Sequence, residues 1–282
     1  MGSFKAHHLA VSPAEVAGNG GRGRFFLLPG SLGRARAIAE RLDDRRVHTS
    51  ERGLDVFVGT LESGGPPLDL GIVPTGMGCP SLDIVVTELI QLGARRFLRV
   101  GTSGSLQPKV VTAGSLVIAT AAVRDEATSG AYAPREYPAV AHPDWIAALS
   151  TATATLGLSA LTYSGVVHTK DSLFAREFGY GPRAEENHRY KRLLADLGAL
   201  ASEMETSHLF VLAAVHGTPP RPLCAAPDST DIIKTGALLA VIGDDQPFTE
   251  PETIREAEER AIEVALEAAL ELDRHERRRE SG

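Results

Sequence analysis

Short apolar runs that end in glycine turns recur along this chain, most of them followed by a helical pattern, and that alternation narrows the fold more than any other feature. Phe25–Pro29 reads as a buried strand, Gly30–Gly33 as a turn and Arg34–Leu42 as a helix. Val56–Leu61 and Asp69–Pro74 read as strands, the second closing on Gly76-Met77-Gly78. Pro80 suits the first turn of a helix, where its missing N–H is not needed, and Ser81–Leu92 continues it. Arg96–Val100 is a strand running into the turn Gly101-Thr102-Ser103-Gly104. Further strands are predicted over Leu116–Val123, Ser164–His168, Ala201–Met204 and Ala237–Ile242. Helices are predicted over Asp144–Leu156, Glu185–Leu197, Glu205–His216 and the charged, amphipathic Glu250–His275. This order predicts an α/β fold, a three-layer α/β/α sandwich with a mixed central sheet. Ligands of such folds sit beyond the carboxyl ends of the strands. The turns at 30–34, 75–81, 101–104, 168–176 and 243–245 should therefore gather on one edge. The proline-rich stretch Gly217–Lys234 joins a helix to a strand and reads as a surface or interface loop on the opposite edge.

The chain has 282 residues, 43% of them hydrophobic, enough for one large core or two smaller ones. No linker, low-complexity tract or fixed repeat divides it, so residues 1–282 are expected to form a single domain. A net charge of −7 argues against a nucleic-acid surface, which needs a basic face. Cys79 and Cys224 form neither a CxxC pair nor a metal-ligand spacing, which fits a reducing compartment and predicts no metal site. The N-terminal residues lack the apolar core of a signal peptide, and no run reaches the ~18 apolar residues of a membrane span. The expected setting is the cytoplasm, with no membrane partner.

Three arginines stand beside the turns: Arg34 after Gly30-Ser31-Leu32-Gly33, Arg52 after Ser50-Glu51, and Arg99 before Gly101-Thr102-Ser103-Gly104. Glycines let backbone N–H groups approach an anion, and guanidinium forks match phosphate oxygens two at a time. Arg99 carries the most information, because it interrupts an apolar strand and a buried arginine needs an anionic partner. A dinucleotide site is the rival reading of the glycine turns. Gly76-x-Gly78-x-x-Ser81 breaks that pattern at its third glycine, and Arg99 stands where an acidic residue should hold a ribose. Ala201-Ser202-Glu203-Met204-Glu205 puts two carboxylates at a strand-to-helix junction. There Glu205 either receives ribose hydroxyls and favours an oxocarbenium-like transition state, or merely caps the helix that follows.

Arg99–Pro108, Thr75–Ser81, Pro134–Val140 and Ser202–Glu205 stand in the order and spacing found in nucleoside phosphorylase-I proteins, and the chain resembles the uridine phosphorylase branch over roughly residues 5–216 and 235–272. The resemblance implies phosphorolysis of a nucleoside to ribose 1-phosphate and free base, with inorganic phosphate as co-substrate and no other cofactor. It assigns the phosphate to Gly30, Arg34, Arg99 and Thr102, with Arg52 reaching in from a neighbouring subunit. It assigns the ribose to Met204 and Glu205, with His8 coming from the neighbour. Ser103, Gly104 and Phe174 would face the base. A site shared across a subunit boundary implies a homodimer, or a hexamer built as three dimers.

The chain also departs from that branch. In the segment His168–Phe178, Arg176 is expected where a glutamine would read uracil, and Arg183 is the nearest candidate for the accompanying arginine. An arginine cannot accept a hydrogen bond and so cannot reproduce an amide's two-sided contact. The segment Gly243-Asp244-Asp245 offers carboxylates near where purine-specific relatives keep an acid for the base, which makes Asp244 a catalytic candidate. Ser31-Leu32 replaces the usual Asp-Pro, and Cys79 replaces a glycine. A pyrimidine nucleoside ranks ahead of a purine or modified one. An irreversible nucleosidase and a non-catalytic nucleoside-binding protein are the remaining readings.

Overall fold

The computed structural model describes residues 4–217, 232–244 and 248–281. The Gly217–Lys234 loop falls mostly outside them, as does Asp245. The strands are β1 (Phe25–Pro29), β2 (Asp43–His48), β3 (Val56–Leu61), β4 (Leu68–Ile72), β5 (Arg96–Ser105), β6 (Leu116–Asp125), β7 (Ala139–Val140), β8 (Thr162–Lys170), β9 (Ala201–Glu203) and β10 (Lys234–Gly243). The helices are α1 (Pro13–Val16), α2 (Leu32–Ala39), α3 (Cys79–Gln91), α4 (Pro143–Thr155), α5 (Ala184–Asp196), α6 (Thr206–His216) and α7 (Pro251–Ser281).

All ten strands join one mixed sheet. Side chains on one face pack with α3 and α6, including Val85, Leu89, Leu209 and Leu212. Those on the other pack with α2, α4 and α7, including Ile38, Trp145, Ala261 and Leu272. The expected three-layer α/β arrangement is thus observed. The chain belongs to the α/β class, and the turns at the carboxyl ends of β1, β4, β8 and β10 meet on one edge.

β5 organises the sheet. Its first half lies between β1 and β10, parallel to both, and its last two residues pair antiparallel with β9. Because β10 pairs with β6, β6 with β8 and β8 with β9, the sheet closes on itself around β5. The stretch Gly101–Gly104, expected as a turn, therefore continues the strand: Gly101 sits opposite Leu239 and Ser103 opposite Val241. Pairing with β10 overrides the low strand propensity of these residues. Gly101 is also required sterically, since a Cβ there would come within 2.8 Å of Leu239 and 3.0 Å of the Arg99 guanidinium. The charged edge strand β2 carries no apolar alternation and is exposed through nearly its whole length, so sequence pattern did not reveal it; backbone pairing to β3 alone defines it. No helix among the described residues is long and apolar enough to cross a membrane.

Buried charges tie α7 to the sheet. Glu276 receives Arg96 Nε at 3.2 Å and Lys234 Nζ at 2.7 Å, and Asp273 pairs with Arg22 at 2.6 Å. Removing one partner of such a cluster strands the others without counter-charge. Glu276→Ala is expected to lower the unfolding free energy by about 3–5 kcal/mol in denaturant titration. An unchanged midpoint would contradict the anchoring role.

Candidate active site

A cavity of about 720 Å³ opens where these turns converge, within the size range of small-molecule sites. Its floor is Arg99, only 4% exposed despite its charge. Arg99 Nε donates to Glu203 at 3.0 Å, and Nη2 donates to Glu205. Burial works against the guanidinium's charge, but Glu205 and Glu203 outweigh it and push its pKa up. The third nitrogen, Nη1, is buried with no hydrogen-bond partner among the described residues.

The two glutamates divide the work at the start of α6. Glu203 accepts the N–H groups of Glu205 at 2.8 Å and Thr206 at 3.0 Å, and the Thr169 hydroxyl at 2.6 Å. Burial raises its pKa, yet Arg99 and these donors bring it below the usual value. Helix capping thus falls to Glu203. Glu205 makes no side-chain cap and lines the cavity instead. Its carboxylate takes the Gly78 N–H at 2.6 Å, a contact that needs the left-handed backbone of Gly78 (φ +86°). Burial raises its pKa, and the charge of Glu203 adds to this against the pull of Arg99. Met204 lines the cavity between them, and its carbonyl accepts the Cys79 thiol at 3.2 Å.

Gly30, Ser31 and Arg34 close the cavity beside Arg99, and Thr102, Ser103 and Gly104 line it along β5. Ser31 caps α2. Arg34 Nη1 donates to the Val100 carbonyl at 3.3 Å, and Nη2 pairs with Glu258 of α7. Arg34 Nε and Ser103 Oγ are buried without hydrogen-bond partners among the described residues.

The cavity is also lined by Phe174, Phe178, Tyr180 and Phe248, with neighbouring ring centroids 5.6–6.4 Å apart, and by Lys170, Glu177 and Lys191. The expectation for Arg176 is corrected here. Its Nε and Nη2 are held by Asp125 at 2.8 and 3.0 Å, its Nη1 by Asn187 at 2.7 Å, and its guanidinium lies 4.6 Å from the centre of the Tyr190 ring. It does not line the cavity. Residues Leu173–Glu177 form a π-helical turn, and Glu177 lines the cavity instead. Sequence reasoning passed over Glu177, although it is the residue next to Arg176. Arg183 is exposed, pairs with Glu186 and is likewise outside the cavity.

Asp244 lines the rim, with one carboxylate oxygen accepting the Ala113 N–H at 3.0 Å. His8 and Arg52 lie outside the cavity of their own chain but beside each other. Ser50 Oγ donates to the His8 carbonyl at 2.8 Å and accepts the Arg52 N–H at 3.3 Å, while His8 Nδ1 meets Glu88 at 2.7 Å.

The mixed sheet and the cavity at its carboxyl edge are those of an α/β enzyme of the nucleoside phosphorylase class. The chain belongs to the phosphorylase superfamily, whose family model matches residues 24–271. It is 32% identical to the uridine phosphorylase of Haemophilus influenzae over 94% of this chain and 97% of that protein. It is 34% identical to the uridine phosphorylase of Treponema pallidum over 84% and 81% of the two chains. It is 30% identical to a guanosine phosphorylase of Halorubrum lacusprofundi over 92% and 96%.

Glu177 offers a test of the site's electrostatics. Burial pushes its pKa up, but Lys170 and Lys191 hold the ionised form and bring it from 4.5 down to about 2. A depressed folded-state value means that this carboxylate stabilises the fold above pH 4.5 and loses that contribution as pH falls toward about 2. Glu177→Gln is therefore expected to be less stable than the natural protein near neutral pH. The gap should narrow across that acid window in denaturant titrations. A gap independent of pH would contradict the pairing.

Proposed function

We propose that this protein cleaves the glycosidic bond of a nucleoside with inorganic phosphate, yielding ribose 1-phosphate and the free base. The observation that carries this reading is the buried Arg99 of the cavity floor, closed on two carboxylates yet with Nη1 lacking a partner among the described residues. Phosphate docks against Arg99 Nη1, the Gly30 turn, Arg34 and Thr102, which hold it under the anomeric carbon and supply proximity and orientation. Glu205 receives the 2′- and 3′-hydroxyls, with Met204 under the sugar. As the bond to the base lengthens, positive charge on the ribose is stabilised by the phosphate on one side and Glu205 on the other. Water as nucleophile would need no such cationic site, which sets the nucleosidase reading second.

The aromatic end of the cavity takes the base, bordered by Ser103, Gly104 and Phe174, with Asp244 at the rim. A uridine-like substrate is favoured by the names of the relatives. A purine or modified nucleoside is the second reading. It is supported by the wide aromatic wall, by the relative named for guanosine and by the withdrawal of Arg176 from the site. His8 and Arg52, joined through Ser50, form one patch suited to completing a neighbour's cavity in a homodimer or a hexamer of three dimers.

Base release from uridine, guanosine and other nucleosides, measured with and without phosphate, tests this function. Release is expected only with phosphate, and equal rates in both conditions would overturn it. Arg99→Ala is expected to lose about 2–4 kcal/mol of transition-state stabilisation in kcat/KM, because a charged contact to a buried anion disappears. Unchanged catalytic efficiency would refute the role of Arg99.

A further inference from the structure

The base end of the cavity holds a charge cluster that phosphate and ribose binding leave unused. Lys170, the last residue of β8, is 2% exposed and lines the cavity. Its Nζ donates to Ser202 Oγ at 2.8 Å and stands 2.8 Å from Glu177 Oε2. Lys191 Nζ stands 2.6 Å from Glu177 Oε1 and donates to the Glu177 carbonyl at 3.0 Å. These two ammonium groups against one carboxylate leave one net positive charge beside the aromatic wall.

A chain of hydrogen bonds fixes the position of Lys170. His168 Nε2 lies 2.9 Å from Asp125, and its Nδ1 lies 3.0 Å from Ser202 Oγ. With Nε2–H donating to the carboxylate, Nδ1 accepts the Ser202 proton and the Ser202 lone pairs face Lys170. Ser202 accepts one ammonium proton and Glu177 Oε2 stands at ion-pair distance, so of the three protons at least one is left for a ligand. A buried ammonium fixed by two neighbours and still holding a donor is a preorganised site for developing negative charge.

We propose that Lys170 is a catalytic residue whose ammonium takes up the negative charge that builds on the departing base. The proposal rests on the phosphorolysis reading. In that reaction a phosphate oxygen forms its bond to C1′ while the C1′–N electron pair leaves with the base. Lys170 donates to a carbonyl oxygen or ring nitrogen of the resulting anion. The base then gains one proton, matched by the proton that hydrogen phosphate gives up as ribose 1-phosphate forms, so no further reagent is needed. Glu177 and Lys191 act through Lys170: Glu177 holds the ammonium in place, and Lys191 offsets the carboxylate that would otherwise repel the leaving anion.

The test compares Lys170→Met with the natural protein on paired substrates whose bases depart with different ease. The pairs are uridine with 5-fluorouridine, and inosine with 7-methylinosine, whose base leaves uncharged. Lys170→Gln is the companion variant, keeping a donor for Ser202 and Glu177 without the charge, so that one of the two folds. For whichever pair the natural protein turns over with phosphate, kcat/KM on the parent nucleoside is expected to fall about 100-fold. The loss on the activated partner should be far smaller. An equal loss on both members, as a packing role would give, overturns the assignment of Lys170 while leaving phosphorolysis intact. Phosphate-independent cleavage, or no cleavage of any nucleoside by the natural protein, overturns the underlying reading instead.

Discussion

The ion triad of Arg99, Glu203 and Glu205 is the interaction on which the rest of the site depends. A guanidinium at the centre of the sheet would be costly without counter-charge, and two carboxylates against one cation leave a negative excess. Neither imbalance is idle. Glu203 is satisfied by backbone N–H groups at the start of α6 and by Thr169, so its charge belongs to the fold. Glu205 accepts only Gly78 N–H and Arg99 among the described residues, and its burial and the charge of Glu203 push its pKa up against the pull of Arg99, so its ionised form depends on that guanidinium. In the proposed reaction, a phosphate would engage Arg99 Nη1, which has no partner among the described residues, and would compete with Glu205 for the same guanidinium, which would couple phosphate and ribose binding through one side chain.

Several structural choices exist to make room for that triad. Gly101 lacks the Cβ that would strike the Arg99 guanidinium, and Gly78 takes a backbone conformation that turns its N–H toward Glu205. The closure of the sheet around β5 brings β9, and with it both glutamates, against the strand that carries the arginine. On the other face, the buried cluster of Arg22, Arg96, Lys234, Asp273 and Glu276 holds α7 in place. α7 in turn presents Glu258 to Arg34. One buried charge cluster thus forms the floor of the cavity, and the other, at the amino ends of β5 and β10, anchors the far end of α7.

Much of this was legible in the sequence because it rests on local pattern. Apolar runs, glycine turns and the proline at the start of α3 located the strands and helices other than β2, β7 and α1, though β5 and α7 run further than expected, and a lone arginine in an apolar strand singled out Arg99. What escaped depended on partners distant in the chain. Gly101–Gly104 reads as a turn until β10 is seen beside it. β2 carries no periodic signal. Arg176 and Glu177 are adjacent, and only the π-helical turn together with Asp125, Asn187 and Tyr190 decides which of them faces the cavity. Lys170 looked like part of a loop segment, and its neighbours Ser202 and Lys191 lie 32 and 21 positions further along the chain.

The most direct measurement is a crystal structure of the protein with phosphate and a nucleoside bound. A phosphate oxygen within hydrogen-bond distance of Arg99 Nη1, with the ribose 2′- and 3′-hydroxyls on Glu205, is the predicted result. Phosphate bound elsewhere, with Arg99 still closed on both glutamates and Nη1 without a partner, would contradict the account at its centre.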